Sequence, residues 1–157
     1  MHDVDISLAH PCEIDRWMAL VDRVKAAFPG LETPEALAEH RRTVLGFMER
    51  SAALCARFDG KIVGALLFSR ENSMLCFLAV DPGFRRQKIA EKLVRHMFTL
   101  LDSDRAVTVT TYREGVPEGC AARAFYRHMG FAEGKLTEEF GSPVQEFVFT
   151  RPRVDAG

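Results

Sequence analysis

The stretch Leu75-Cys76-Phe77-Leu78-Ala79-Val80-Asp81-Pro82-Gly83-Phe84-Arg85-Arg86-Gln87-Lys88-Ile89-Ala90 decides how this sequence is read. From Met74 to Val80 it is continuously apolar rather than alternating, which predicts a strand covered on both faces. Asp81-Pro82-Gly83 breaks the run. A basic turn follows and leads into a helix with Ile89, Leu93, Met97 and Leu100 on one side. The start of a helix exposes backbone N–H groups without partners and the positive end of the dipole. With Arg85, Arg86 and Lys88 beside it, that start becomes a receptor for a diphosphate. A basic turn alone would merely solvate a loop; its place between a buried strand and a helix start favours the anion site.

Upstream, Val4, Ile6 and Leu8 alternate with polar residues and predict a short strand. Ile14, Trp17, Met18, Val21, Val24 and Phe28 share one helical face, with Pro29-Gly30 as the stop. Thr33-Pro34 opens a second helix, hydroxyl at the cap and proline at the first helical position. Its apolar face runs through Leu37, Val44, Leu45 and Met48. Ala53 to Phe58 and Ile62 to Phe68 are strands joined by an Asp59-Gly60-Lys61 hairpin. Downstream, Ala106 to Tyr112 is a β-branched strand and Cys120 to Met129 a helix that Gly130 ends. Phe131 to Phe149 gives two strands around Gly141-Ser142-Pro143. The order is β-α-α-β-β-β-α-β-α-β-β. With no repeat, low-complexity tract or linker, it predicts a single domain over residues 1–157, α/β in the mixed α+β sense, in three layers. A mostly antiparallel central sheet of about seven strands would carry helices on both faces.

Two motifs then resemble the GNAT superfamily of N-acetyltransferases. The phosphate motif of that family is Arg or Gln, two residues, Gly, one residue, then Gly or Ala, after a strand ending in Val-x-Pro. Here Val80-Asp81-Pro82 precedes Arg85-Arg86-Gln87-Lys88-Ile89-Ala90, matching at Arg85 and Ala90 and departing at Lys88, where the family usually has glycine. The second motif, Ala122-Arg123-Ala124-Phe125-Tyr126-Arg127-His128-Met129-Gly130-Phe131, is similar to the family's late helix. The family often has Asn seven residues before that tyrosine, a position held here by Gly119.

The resemblance implies direct transfer of an acetyl group from acetyl-coenzyme A, as co-substrate, to an amine. It implies coenzyme contacts from Leu78, Ala79, Val80, Arg85, Arg86, Gln87, Lys88, Ile89, Ala90 and Phe125. The pantetheine arm would lie between Met74–Val80 and Ala106–Tyr112, paired with backbone groups of Leu78 and Val80. An N–H near Ala79 would polarise the thioester carbonyl. Were Lys88 already helical, its backbone amide would still serve the phosphates. Tyr126 would protonate the leaving thiolate, although Phe-Tyr on a helix is by itself ordinary core packing. Glu114, Glu32 and Glu71 are the candidate bases. Glu32, Glu35, Glu138 and Glu139 hint at a cationic acceptor, a small-molecule or peptide amine. The rival is a non-catalytic acyl-coenzyme A sensor or interaction module on the same fold.

Composition narrows the remaining classes. Of 157 residues 47% are apolar and 27% charged, the balance of a globular chain. Lys plus Arg number 21 against 22 Asp plus Glu, so no global charge pulls toward nucleic acid or membrane. Arg85, Arg86, Lys88, Arg95 and Arg123 are the only patch that a nucleic-acid reading would use. The four cysteines form no C-x-x-C pair and the five histidines have no ligand spacing, so neither a metal nor a disulfide framework is expected. The acidic start Met-His-Asp-Val-Asp and the lack of a long apolar stretch predict a cytoplasmic protein, monomer or homodimer, without a leader or membrane span.

Overall fold

The computed structural model describes residues 3–28, 30–139 and 141–151, so the Pro29 half of the expected helix stop lies outside it. The elements are β1 (Asp5–Leu8), α1 (Ile14–Val24), α2 (Pro34–Glu49), β2 (Ala53–Phe58), β3 (Lys61–Ser69), β4 (Met74–Val80), α3 (Ile89–Leu100), β5 (Val107–Tyr112), α4 (Cys120–His128), β6 (Ala132–Glu139) and β7 (Ser142–Phe149). They build one seven-stranded sheet in the order β1-β2-β3-β4-β5-β7-β6. Every neighbouring pair is antiparallel except β4 and β5. This is the mixed α+β architecture that the element order predicts.

Local chemistry accounts for the element ends. Thr33 Oγ1 accepts the Ala36 N–H at 3.0 Å and Pro34 opens α2. Asp59 and Gly60, at φ 50° and 77°, form the two-residue turn between β2 and β3. α1 is shorter than its periodicity suggested: it stops at Val24 and continues as a 3₁₀ turn over Lys25–Ala27. Ser142 and Pro143, expected in a turn, belong to β7.

The sheet separates two cores. α1 and α2 cover one face with Trp17, Leu20, Val21, Val44 and Met48 packed on Cys55, Ile62, Ala65 and Ala79. α3 covers the other with Ile89, Leu93, Val94 and Met97, and α4 adds Tyr126. Val107 and Val109 of β5 join the second core, so strand alternation turns the Thr108 and Thr110 side chains toward the α1/α2 face. One guanidinium ties the first elements together. Arg57 of β2 donates to both carboxylate oxygens of Glu13 at 2.7 and 2.6 Å, to Ser7 Oγ at 2.6 Å and to the Leu8 carbonyl at 2.9 Å.

The strand covered on both faces is β3, buried from Ile62 through Phe68, and not β4. Only Leu75 and Ala79 of β4 are fully buried; Phe77, Leu78 and Val80 are half-open. The expectation for β4 is corrected because its apolar residues line a split in the sheet.

Candidate active site

β4 and β5 run parallel but touch through a single register pair, Met74 with Thr108, closed by a 3.1 Å bond from the Thr108 N–H to the Ser73 carbonyl. Beyond Met74 the strands diverge. The register against β3 shows which backbone groups face the split. Asp81 donates to the Val63 carbonyl at 2.8 Å, and in an antiparallel pair the bonded residues alternate, so Ala79 is bonded to Ala65. The N–H and C=O of Leu78 and Val80 therefore point away from β3, into the split. The same parity excludes the Ala79 N–H as the group that polarises a carbonyl there: its hydrogen bond is spent on β3. On the far side, the inward Thr108 N–H sets Thr110 backbone groups toward the split as well.

The mouth of the split lies at the start of α3. A cavity of about 420 Å³ is lined there by Val80, Phe84, Arg85, Arg86, Lys88, Ile89, Ala90, Glu91, Phe125 and His128. The loop is braced from α1, where Arg23 donates to Asp81 at 2.8 Å and to the Ile62 carbonyl at 3.0 Å. Arg86 and Lys88 both take left-handed backbone conformations, φ 64° and 61°. Lys88 is thus the residue capping α3 from outside, not part of the helix, so the condition for a helical amide at this position is not met. The first helical bond runs from the Lys92 N–H to the Lys88 carbonyl, which leaves the N–H groups of Ile89, Ala90 and Glu91 without intrahelical partners. The Lys88 side chain does not cap them. α3 sits close to the sheet because Gly64 lies beneath it; a Cβ there would come within 2.8 Å of Ile89 Cγ2. Free amides, left-handed turns and three exposed cations make a concave anion site that fits a diphosphate.

The region from the end of α2 through the start of β6, residues 49–133, matches the acetyltransferase (GNAT) domain. The chain belongs to the GNAT acetyltransferase family. No curated protein sequence matches it. Its fold is shared by a GNAT acetyltransferase from Bacillus cereus at TM-score 0.75 and 15% identity, over 96% of this chain and 99% of that one. A PaiA N-acetyltransferase from Thermoplasma acidophilum, in complex with coenzyme A, superimposes at TM-score 0.69 and 15% identity over 94% and 99%. The Salmonella typhimurium acetyl transferase that modifies the N-terminal serine of ribosomal protein L7/L12 does so at 0.70 and 16%, over 95% of each chain.

Within this GNAT domain the residues singled out from sequence fall into three groups. Val80, Arg85, Arg86, Lys88, Ile89, Ala90 and Phe125 meet around the mouth cavity. Leu78 faces the split through its backbone, and Gln87 lies in the loop without lining the cavity. Tyr126 is 7% exposed, does not line the mouth cavity and stands in the core on the α3/α4 face, its ring 5.5, 5.6 and 6.1 Å from those of Phe125, Phe131 and Phe147. Burial pushes its hydroxyl pKa up, so the phenol keeps its proton.

The proposed bases are dispersed. Glu32 is exposed and accepts the Gly30 N–H in its own loop at 3.1 Å. Glu114 is exposed past β5 and close to Arg127 of α4. Glu71 lines a second cavity, about 520 Å³, near Arg50, Arg70 and Cys76. Arg123 leaves the basic patch altogether: it is 4% exposed and donates to Tyr112 O, Gln145 and Glu133. Gly119 is enforced by packing, since a Cβ would come within 2.3 Å of Tyr112 Cβ.

Several lining groups escaped the sequence reading. Glu91 and His128 meet across the mouth at 3.1 Å; this hydrogen bond first, then Arg95, holds the Glu91 carboxyl below the usual range. Their signal was present as spacing: His128 lies three residues after Phe125 on the same helix face. On the opposite face, the Phe77 ring packs 4.9 Å from Phe28 and 5.0 Å from His40. Burial lowers the pKa of His40, whose Nε2 has no partner among the described residues. Among those residues, no group of His, Cys, Asp and Glu is placed to hold a metal, and no helix is long and apolar enough to cross a membrane.

Proposed function

We propose that this GNAT acetyltransferase moves an acetyl group from acetyl-coenzyme A directly to an amine. The observation that carries the proposal is the split between β4 and β5, flanked by unpaired strand backbone and opening onto the cationic start of α3. Bound there, acetyl-coenzyme A supplies an activated acetyl thioester. Arg85, Arg86, Lys88 and the first amides of α3 bind the diphosphate, and the backbone groups of Leu78 and Val80 take the place of a missing strand partner along the pantetheine arm. Tyr126, whose burial keeps its phenol protonated, would give that proton to the leaving sulfur. Positioning in the split supplies the remaining rate. The coenzyme A complex of the Thermoplasma acidophilum neighbour and the amine-terminal substrate of the Salmonella typhimurium one support this reading.

The test combines binding with turnover. A native-state ligand raises the unfolding midpoint by mass action, so the midpoint should climb steadily with acetyl-coenzyme A, and thiol should be released when a primary amine is added. No midpoint shift at saturating coenzyme overturns coenzyme binding. A shift without amine-dependent thiol release turns the reading toward an acyl-coenzyme A sensor.

A further inference from the structure

Glu139 closes β6, two strands away from the split in sheet order, yet its carboxylate is held against the split. Thr110 of β5 donates its hydroxyl to Glu139 Oε1 at 2.8 Å, a partly buried bond. Thr110 is the residue whose side chain projects onto the α1/α2 face while its backbone faces the split. The Glu139 charge also reaches β4 across the opening: the Cys76 thiol has its pKa raised by burial first and by Glu139 next. The Glu139 carboxylate is thus held against β5, one of the two strands that flank the split, on the face opposite Tyr126. Arg50, just past α2 and stacked over the Phe47 ring at 4.8 Å, forms no ion pair with Glu139 among the described residues.

We infer that Glu139, oriented by Thr110, receives the acceptor as a primary ammonium ion and removes its proton. This rests on the acetyl-transfer reading above and adds the acceptor's charge and the base. Glu139 takes one proton from the ammonium and releases it to solvent. The freed nitrogen lone pair attacks the thioester carbonyl carbon, a C–N bond forms and the C–S bond breaks. Tyr126 gives its proton to the departing sulfur and regains one from the nitrogen, so the products are the amide, the free thiol and one proton. A donor on one face of the sheet and a base on the other suit a transfer through the split. Of the carboxylates that the sequence offered as bases, Glu32 accepts the Gly30 amide, Glu114 is exposed past β5 and Glu71 lines the second cavity.

The experiment compares two small nucleophiles that any acceptor pocket admits: ethylamine, a cation at neutral pH, and hydroxylamine, largely unprotonated there. Glu139→Gln should lower kcat/KM for ethylamine by ~10²-fold, the lower end of what general-base catalysis contributes, and lower it far less for hydroxylamine. Saturation-transfer NMR of ethylammonium on the coenzyme-free protein should weaken in the same variant. The midpoint shift caused by coenzyme A should persist. Thr110→Val should reproduce part of the ethylamine loss, and Thr110→Ser should restore it. Equal losses for both nucleophiles, or none for either, overturn the assignment. So does a parent protein that acetylates hydroxylamine but never ethylamine. A parent that binds coenzyme A and releases thiol to neither fails the acetyl-transfer reading itself, and the role of Glu139 falls with it.

Discussion

Replacing Lys88 separates the two contributions this residue makes, a backbone shape and a charge. Its φ of 61° and ψ of 25° lie in the left-handed region, where an L-residue with a Cβ is disfavoured by about 1–2 kcal/mol relative to right-handed conformations. Glycine escapes that penalty but returns about 0.4–1 kcal/mol to the unfolded chain as extra freedom. Lys88→Gly should therefore stabilise the ligand-free protein by roughly 0.5–1 kcal/mol relative to Lys88→Ala, which loses the same charge and keeps the strain. In a domain of this size that is a midpoint difference of about 1–4 °C, readable by calorimetry. Both variants should show a smaller coenzyme-induced midpoint shift than the parent at low salt, and the deficit should shrink at high salt as the lost charge is screened. If Lys88→Ala is as stable as Lys88→Gly or more so, the left-handed cap on α3 is refuted. The explanation for a lysine where the family usually has glycine goes with it.

Tyr126→Phe keeps the ring among Phe125, Phe131 and Phe147 and removes only the hydroxyl. Turnover should fall by ~10²-fold or more while coenzyme affinity holds, as steady-state kinetics and titration will report; an unchanged rate with chemistry limiting makes Tyr126 purely structural. Gly119→Ala forces a Cβ to within 2.3 Å of Tyr112, so it should cost about 1–3 kcal/mol in denaturant unfolding, and Gly119→Asn at least as much. A variant as stable as the parent would show that Tyr112 moves freely. The hydrogen bond from Arg57 holds the Glu13 pKa below its ordinary value. Its contribution is therefore fully present above the unfolded carboxyl pKa and lost as pH falls through the lower, folded one. The stability difference between parent and Glu13→Gln should narrow on acidification, and a difference that is flat with pH contradicts the pairing.

Much of this protein was legible along the chain because the relevant physics is local. Thr33-Pro34 caps a helix, Asp59-Gly60 turns a hairpin and Asp81-Pro82-Gly83 ends a strand through interactions spanning a few residues. The basic turn before Ile89 marked the proposed anion site for the same reason: helix-end amides and adjacent cations are neighbours in sequence. Tertiary structure decided the rest. Whether Ala79 or Leu78 presents its amide to the split depends on the register with β3, and a shift of one residue reverses the answer. The half-open state of β4 follows from where β5 leaves it, which its own apolar run does not encode. Gly119 is excluded from carrying a side chain by Tyr112, and Lys88 takes over a glycine's conformation within a loop braced from α1. Glu139 and Thr110 meet across 29 residues of chain, and nothing in the spacing of either announces the other. Caps and turns are energies of adjacent residues, whereas the proposed acceptor face is made by strands that become neighbours only once the sheet has formed.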